Sequence, residues 1–192
     1  FFISACFVYR LIKKRNANNP RYWFLFALLI LIGIGSILWH SLRHPLALLL
    51  DAGPVYTFFF LFLYFLLEQL SRSKKRAIVI LVTFFAIQVL ASIFFPTFLN
   101  GTIRHVINGV FSLGIIIWFY KRYGTFDKDL LTAFLLYVIA IILRSTDNSV
   151  CPIFPAGTHF LWHILNASAS YFAIRALVKI NFSKQPSYND KG

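Results

Sequence analysis

Long apolar runs separated by short polar joints dominate the chain. Six of them, at 22–41, 45–67, 77–95, 103–120, 130–143 and 159–178, approach the length of about 20 residues that carries a helix across a bilayer. The joints hold helix breakers where such helices must stop: Asn16 to Pro20, Pro45, Pro96 with Asn100 and Gly101, Gly124, and the stretch from Pro152 to Gly157. Residues 1–9 are apolar but too short to span. They are expected to be the remainder of a first helix, the competing reading being a signal peptide. The predicted fold is therefore all-α, an integral membrane bundle of seven transmembrane helices in one domain, 1–182, with a polar tail, 183–192, expected to be disordered. The run at 130–143 is short for a span and is expected to recruit Phe126 or Ser145 at its ends.

Composition removes the soluble alternatives. Fifty-nine per cent of the residues are hydrophobic and 13% charged, against about a quarter charged in an ordinary soluble domain. The net charge of +13 would suggest nucleic acid were it not for its placement. Sixteen of the 19 basic residues fall in the first, third and fifth joints or toward the C-terminus, and only Arg43, Arg104 and Arg144 fall in the others. Under the positive-inside rule this alternation places the N-terminus outside and the C-terminus in the cytoplasm, and makes anionic lipid rather than nucleic acid the partner of the positive charge. Two cysteines, Cys6 and Cys151, make neither a disulfide framework nor a multi-cysteine zinc site. Trp23, Trp39, Trp118 and Trp162 fall near predicted helix ends, as in an aromatic belt.

Ionisable groups inside the spans are few, and their cost in hydrocarbon makes each a functional candidate. Ser36 and His40 stand at i, i+4 in the second helix, Asp51 lies early in the third, and His159 and His163 open the seventh, again at i, i+4. Such pairs share one helical face at about 6 Å. Helix direction puts all five near one depth in the outer leaflet. Three neutral imidazoles with a water in the fourth position form a common catalytic zinc set. Asp51 is then the candidate proton acceptor and Ser36 the candidate oxyanion donor, so the predicted metal ligands are His40, His159 and His163. Two other readings stand beside this one: histidines that hydrogen-bond the helices together, and a haem held by two of them. Asn166 and Ser170, farther along the seventh helix, are candidates to line a substrate tunnel or to bond between helices. His44 and His105 are expected at the interface, Glu68 as a solvated charge near Arg72, and Arg144 and Asp147 as a pair or a frame for the site entrance.

Two segments resemble the alkaline ceramidase family, seven-helix membrane hydrolases of a superfamily that includes the adiponectin-type receptors and the Per1 proteins. GIGSILWHSLRHPLALLLDAGPVYTFFFLFLYFLLE at 33–68 is similar to that family's GxGSxxxH followed by LLDxxP and a distant Tyr and Glu. HFLWHILNASASY at 159–171 is similar to its HxxWHxL with a following SY. The two cover 49 of 192 residues. The resemblance implies zinc on His40, His159 and His163, Asp51 activating the water, Ser36 at the oxyanion, and hydrolysis of ceramide or a related N-acyl lipid to a fatty acid and a sphingoid base. A receptor-like or structural zinc-binding member without hydrolase activity is the alternative. Ala52 stands where family members commonly carry Glu, and Val55 where they carry Met. Nothing corresponds to the acidic calcium-binding stretch of the animal members. The implied membrane is a bacterial inner membrane or one of the ER and Golgi type, with the site toward the non-cytoplasmic leaflet.

Overall fold

The computed structural model describes residues 1–98 and 102–182, and within them all regular structure is helical. Seven helices follow one another: α1 (Phe2–Lys14), α2 (Pro20–Leu42), α3 (Pro45–Ser71), α4 (Lys74–Phe94), α5 (Ile103–Tyr123), α6 (Lys128–Val150) and α7 (His159–Phe182). The polar tail expected at 183–192 lies outside the described residues. Five helices, α2 to α6, are long and apolar enough to cross a membrane, as befits a multi-pass membrane protein. The 13-residue α1 is too short to cross one. The histidines, Asn166, serines and two basic residues of α7 dilute its hydropathy.

The starts obey local chemistry. Asn19 caps α2 by accepting from the Arg21 amide at 3.0 Å, with Pro20 in the first turn, where its missing N–H costs nothing. Ser73 caps α4 and Asp127 caps α6, the latter accepting from the amides of Asp129 and Leu130. The sixth helix runs seven residues past the apolar run that announced it. Ser145 and Thr146 donate to the carbonyls of Ile141 and Ile142 one turn back, so the helix continues although its side chains have turned polar.

Each helix packs on the next and α1 closes on α7, while α7 also reaches α2 and α3. The core gathers Val8 of α1, Leu25 and Leu29 of α2, Leu66 of α3, and Ile174 and Leu177 of α7, all buried. Lipid tails are as apolar as leucine, so close packing rather than escape from water holds such helices together. Small residues serve this purpose on α7, where Ala167, Ala169, Ala173 and Ala176 are buried. By contrast Ile78, Val82, Phe85 and Ile93 of α4 face outward with half or more of their surface open, as lipid-facing side chains do.

One crossing sets the site. Pro54 sits inside α3 and has no N–H to give the Leu50 carbonyl one turn back. That carbonyl lies against Gly35 of α2, where a Cβ would overlap its oxygen and stand 2.5 Å from its carbon and 2.8 Å from the Asp51 nitrogen. Only glycine lets the two helices come this close, and Asp51 is thereby held beside the turn of α2 that carries Ser36 and His40.

Far from the histidines, ion pairs tie the other end of the bundle. Lys179 of α7 donates to Asp129 at 2.7 Å and lies 3.6 Å from Asp127, while Arg175 is 3.3 Å from Asp129. Glu68 is not the solvated charge near Arg72 expected from sequence. It pairs with Arg21 of α2 at 2.7 Å, with the guanidinium 5.0 Å from the Phe65 ring.

Candidate metal centre

His40 stands in the last turn of α2, and His159 and His163 in the first turns of α7. Residues 123 positions apart meet here: His40 Nε2 lies 3.2 Å from His163 Nε2, and His163 Nε2 lies 3.1 Å from His159 Nε2. All three offer a ligand atom within 4.8 Å of one another. Zn–N bonds of 2.0–2.1 Å at tetrahedral angles place neighbouring nitrogens about 3.3 Å apart. Two of the three edges therefore have the size of a zinc site already.

The same distances weigh against histidines that merely hydrogen-bond the helices. An imidazole nitrogen presents one direction in the ring plane, holding either a proton or a lone pair. His163 Nε2 faces two other Nε2 atoms and can satisfy only one of them well. A single cation at the focus satisfies three lone pairs at once. Nor do nitrogens 3.1–3.2 Å apart leave room for a porphyrin between them.

Neither a family model, nor a curated protein, nor a solved structure matches the chain. What the site can do is thus argued from its own residues.

Asp147 of α6 stands behind His159, a part that spacing did not reveal. Its Oδ1 accepts from the amides of Thr158 at 2.6 Å and His159 at 3.0 Å, capping α7 from a neighbouring helix. Its Oδ2 lies 4.0 Å from His159 Nδ1, an electrostatic contact longer than a hydrogen bond. A carboxylate behind a histidine orients the ring and raises its basicity as a ligand. The approach depends on Gly157, whose φ of 60° is left-handed and where a Cβ would stand 2.5 Å from Asp147 Oδ1. Asp147 is not within ion-pair distance of Arg144; its Oδ1 serves the start of α7.

Below the histidines an apolar cavity runs down the inside of the bundle. It passes from Asp51 and His163 to Leu66, Ala173 and Leu130. Fifteen residues along α3, from Asp51 to Leu66, make it about 22 Å long at 1.5 Å per residue. Asp51, Asn166 and Ser170 all line it. Asp51 is half-buried. Asn166 and Ser170 neither bridge helices nor point their donors wholly into the cavity. Each donates to a backbone carbonyl one turn back on α7, at 2.8 Å, leaving the Asn166 side-chain oxygen and the Ser170 lone pairs for a ligand.

Ser36 is the candidate that the geometry brings in least. It is half-buried one turn from His40, does not line the cavity, and has no hydrogen-bond partner among the described residues. Trp162 and His105 belong to the site rather than to a lipid-facing belt. Trp162 stacks on His159 with centroids 5.5 Å apart and meets His105 edge-on at 5.8 Å, and both line the cavity. His105 opens a buried polar chain that no linear motif announces. Its Nδ1 is 3.3 Å from the Tyr137 hydroxyl, which accepts from Asn108, which in turn accepts from Gln88 at 2.6 Å. His163 Nδ1 and Trp162 Nε1 are buried without hydrogen-bond partners among the described residues.

Proposed function

We propose that the chain is a zinc-dependent intramembrane amidase that hydrolyses ceramide or a related N-acyl lipid to a fatty acid and a sphingoid base. The observation that carries this reading is the convergence of three Nε2 atoms from α2 and α7 at the head of a long apolar cavity. An acyl chain fits the cavity by its length and lining, which brings the amide at its upper end to the level of Asp51 and His163. His40, His159 and His163 would hold a zinc ion, which would supply Lewis acidity toward the amide carbonyl and toward the attacking water.

The remaining roles fall to the chain's own side chains. Asp51 takes a proton from the attacking water and returns it to the leaving nitrogen as the C–N bond breaks, so that the fatty acid keeps the water oxygen. Ser36 donates to the developing oxyanion, a role that rests on its place one turn from His40 and on the likeness to ceramidases. Asp147 keeps the His159 ring oriented, and Trp162 packs against its face. The charge alternation along the chain turns this end toward the non-cytoplasmic leaflet.

Elemental analysis of purified protein beside an assay of fatty-acid release from ceramide tests the reading. One zinc per chain is expected, lost in His163→Ala, together with turnover. Asp51→Asn is expected to keep the metal and lose turnover, since the amide is nearly isosteric but no longer accepts the proton. Stoichiometric zinc in a wild-type protein that releases no fatty acid from any N-acyl lipid would leave the metal structural and remove the amidase.

A further inference from the structure

The cavity beneath the histidines changes character along its length. Its upper wall, at Asp51, Tyr56, Trp162 and His163, is half-buried. Its lower wall is closed, for Leu63 and Leu66 of α3, Ile116 of α5, Leu130 of α6 and Ala173 of α7 line it with only 1–7% of their surface exposed. The cavity is therefore a blind pocket with its mouth at the histidine end. Its floor is anchored. Leu130 follows Asp129, a buried carboxylate that Lys179 and Arg175 of α7 approach to 2.7 and 3.3 Å. A lipid tail pushed past Leu130 meets paired charges rather than space.

Small side chains give the pocket its depth. Ala169 and Ala173 stand six and ten residues past His163 on α7, about 9 and 15 Å below it at 1.5 Å per residue. On the antiparallel α6, Ala133 lies fourteen residues before Asp147, level with Ala173 fourteen residues after His159. All three alanines are buried and line the cavity, so a larger side chain at any of them enters the space a tail would use. An acyl chain gains little by exchanging lipid neighbours for apolar side chains, and fit decides which chains are taken. A short chain leaves a void whose lining loses contacts, and a long one overlaps packed side chains.

We propose that the pocket measures the acyl chain: Leu66 and Leu130 set the stop, and Ala133, Ala169 and Ala173 keep the bore open above it. An extended chain advances about 1.2 Å per bond, a third of the reach of one extended residue, so a depth of about 22 Å holds about 18 carbons. The reaction that the ruler serves rests on the amidase reading above, whereas the binding does not.

The test uses full-length zinc-loaded protein in neutral detergent, with ceramides that differ only in a saturated acyl chain of about 8 to about 24 carbons, a range that brackets the expected limit. Binding is read by calorimetry and turnover by fatty-acid release. In the wild type both are expected to hold up to about 18 carbons and then to fall by about ten- to a hundredfold. Ala173→Leu should move the break to about 12 carbons and Ala169→Leu to about 7, whereas Leu130→Ala should move it upward by about two carbons or more. Ala133→Leu provides the same reading as Ala173→Leu if the latter does not fold. One break shared by wild type and variants, an equal loss at every chain length, or a wild type that takes every length alike would overturn the ruler. A break in binding without hydrolysis of any ceramide would sink the amidase reading and leave the ruler standing.

Discussion

Gly35→Ala is the smallest change aimed at the architecture of the site, because it adds one methyl group where α2 meets α3. The new Cβ would stand 2.5 Å from the Leu50 carbonyl carbon, 0.9 Å short of the 3.4 Å at which ordinary contact begins, and the obstacle is backbone rather than a side chain that can swing away. The helices must therefore part by more than about 1 Å, because the carbonyl oxygen stands nearer still. Two effects oppose each other in stability: alanine gains about 1 kcal/mol over glycine in a helix interior, and overpacking costs about 1–3 kcal/mol. The net loss is about 0–2 kcal/mol, which leaves a folded protein. Function is more exposed, since Asp51 follows Leu50 and moves with it, and a misplacement of about 1 Å costs on the order of a hundredfold in rate. Gly114→Ala is the control, for nothing lies within 4 Å of a Cβ there and it should stabilise by about 0.4–1 kcal/mol. Thermal unfolding in detergent and amide hydrolysis give the two readouts. The reasoning fails if Gly35→Ala behaves like Gly114→Ala in both.

Three other outcomes are expected. Asp147→Ala should weaken zinc binding by about ten- to a hundredfold, measured by competition with a chromogenic chelator, because it frees the His159 ring and uncaps α7; unchanged affinity would make Asp147 a cap only. Ser36→Ala should slow hydrolysis by about ten- to a thousandfold with little change in substrate affinity. An acyl-enzyme trapped on Ser36 would replace direct attack by water with a serine nucleophile. Single cysteines at His44 and Ser73, on a background without Cys6 and Cys151, should respectively accept and escape an impermeant thiol reagent added outside sealed cells. The reverse pattern would turn the site toward the cytoplasm.

The helices were legible because a bilayer demands long apolar runs and because prolines, glycines and asparagines punctuate them; only the polar last turns of α6 escaped hydropathy. The meeting of His40 with His159 and His163 was legible too, since spacing fixes a helical face and alternation fixes depth. Asp51 followed from the same logic. What stayed hidden depends on contacts between distant segments. Asp147 reaches α7 only because Gly157 adopts a left-handed turn and carries no Cβ. The chain from His105 through Tyr137 and Asn108 to Gln88 joins three helices with no shared spacing. Glu68 had Arg72 four residues away and Arg21 on another helix, and packing chose the distant one. Ser36 shows the converse, where a motif is in place but the cavity passes it by.

The 123 residues between His40 and His163 also have a consequence in time. Helices are made and delivered to the membrane in order, and α2 and α3 can pack through Gly35 while most of the chain is still unmade. The imidazole of His40 then waits with no partner until α7 emerges. Ring closure brings α1 and α2 against α7 at the end of synthesis, so the three imidazoles come together only in the finished molecule. A truncated or stalled product lacks His159 and His163 and so has no such cluster.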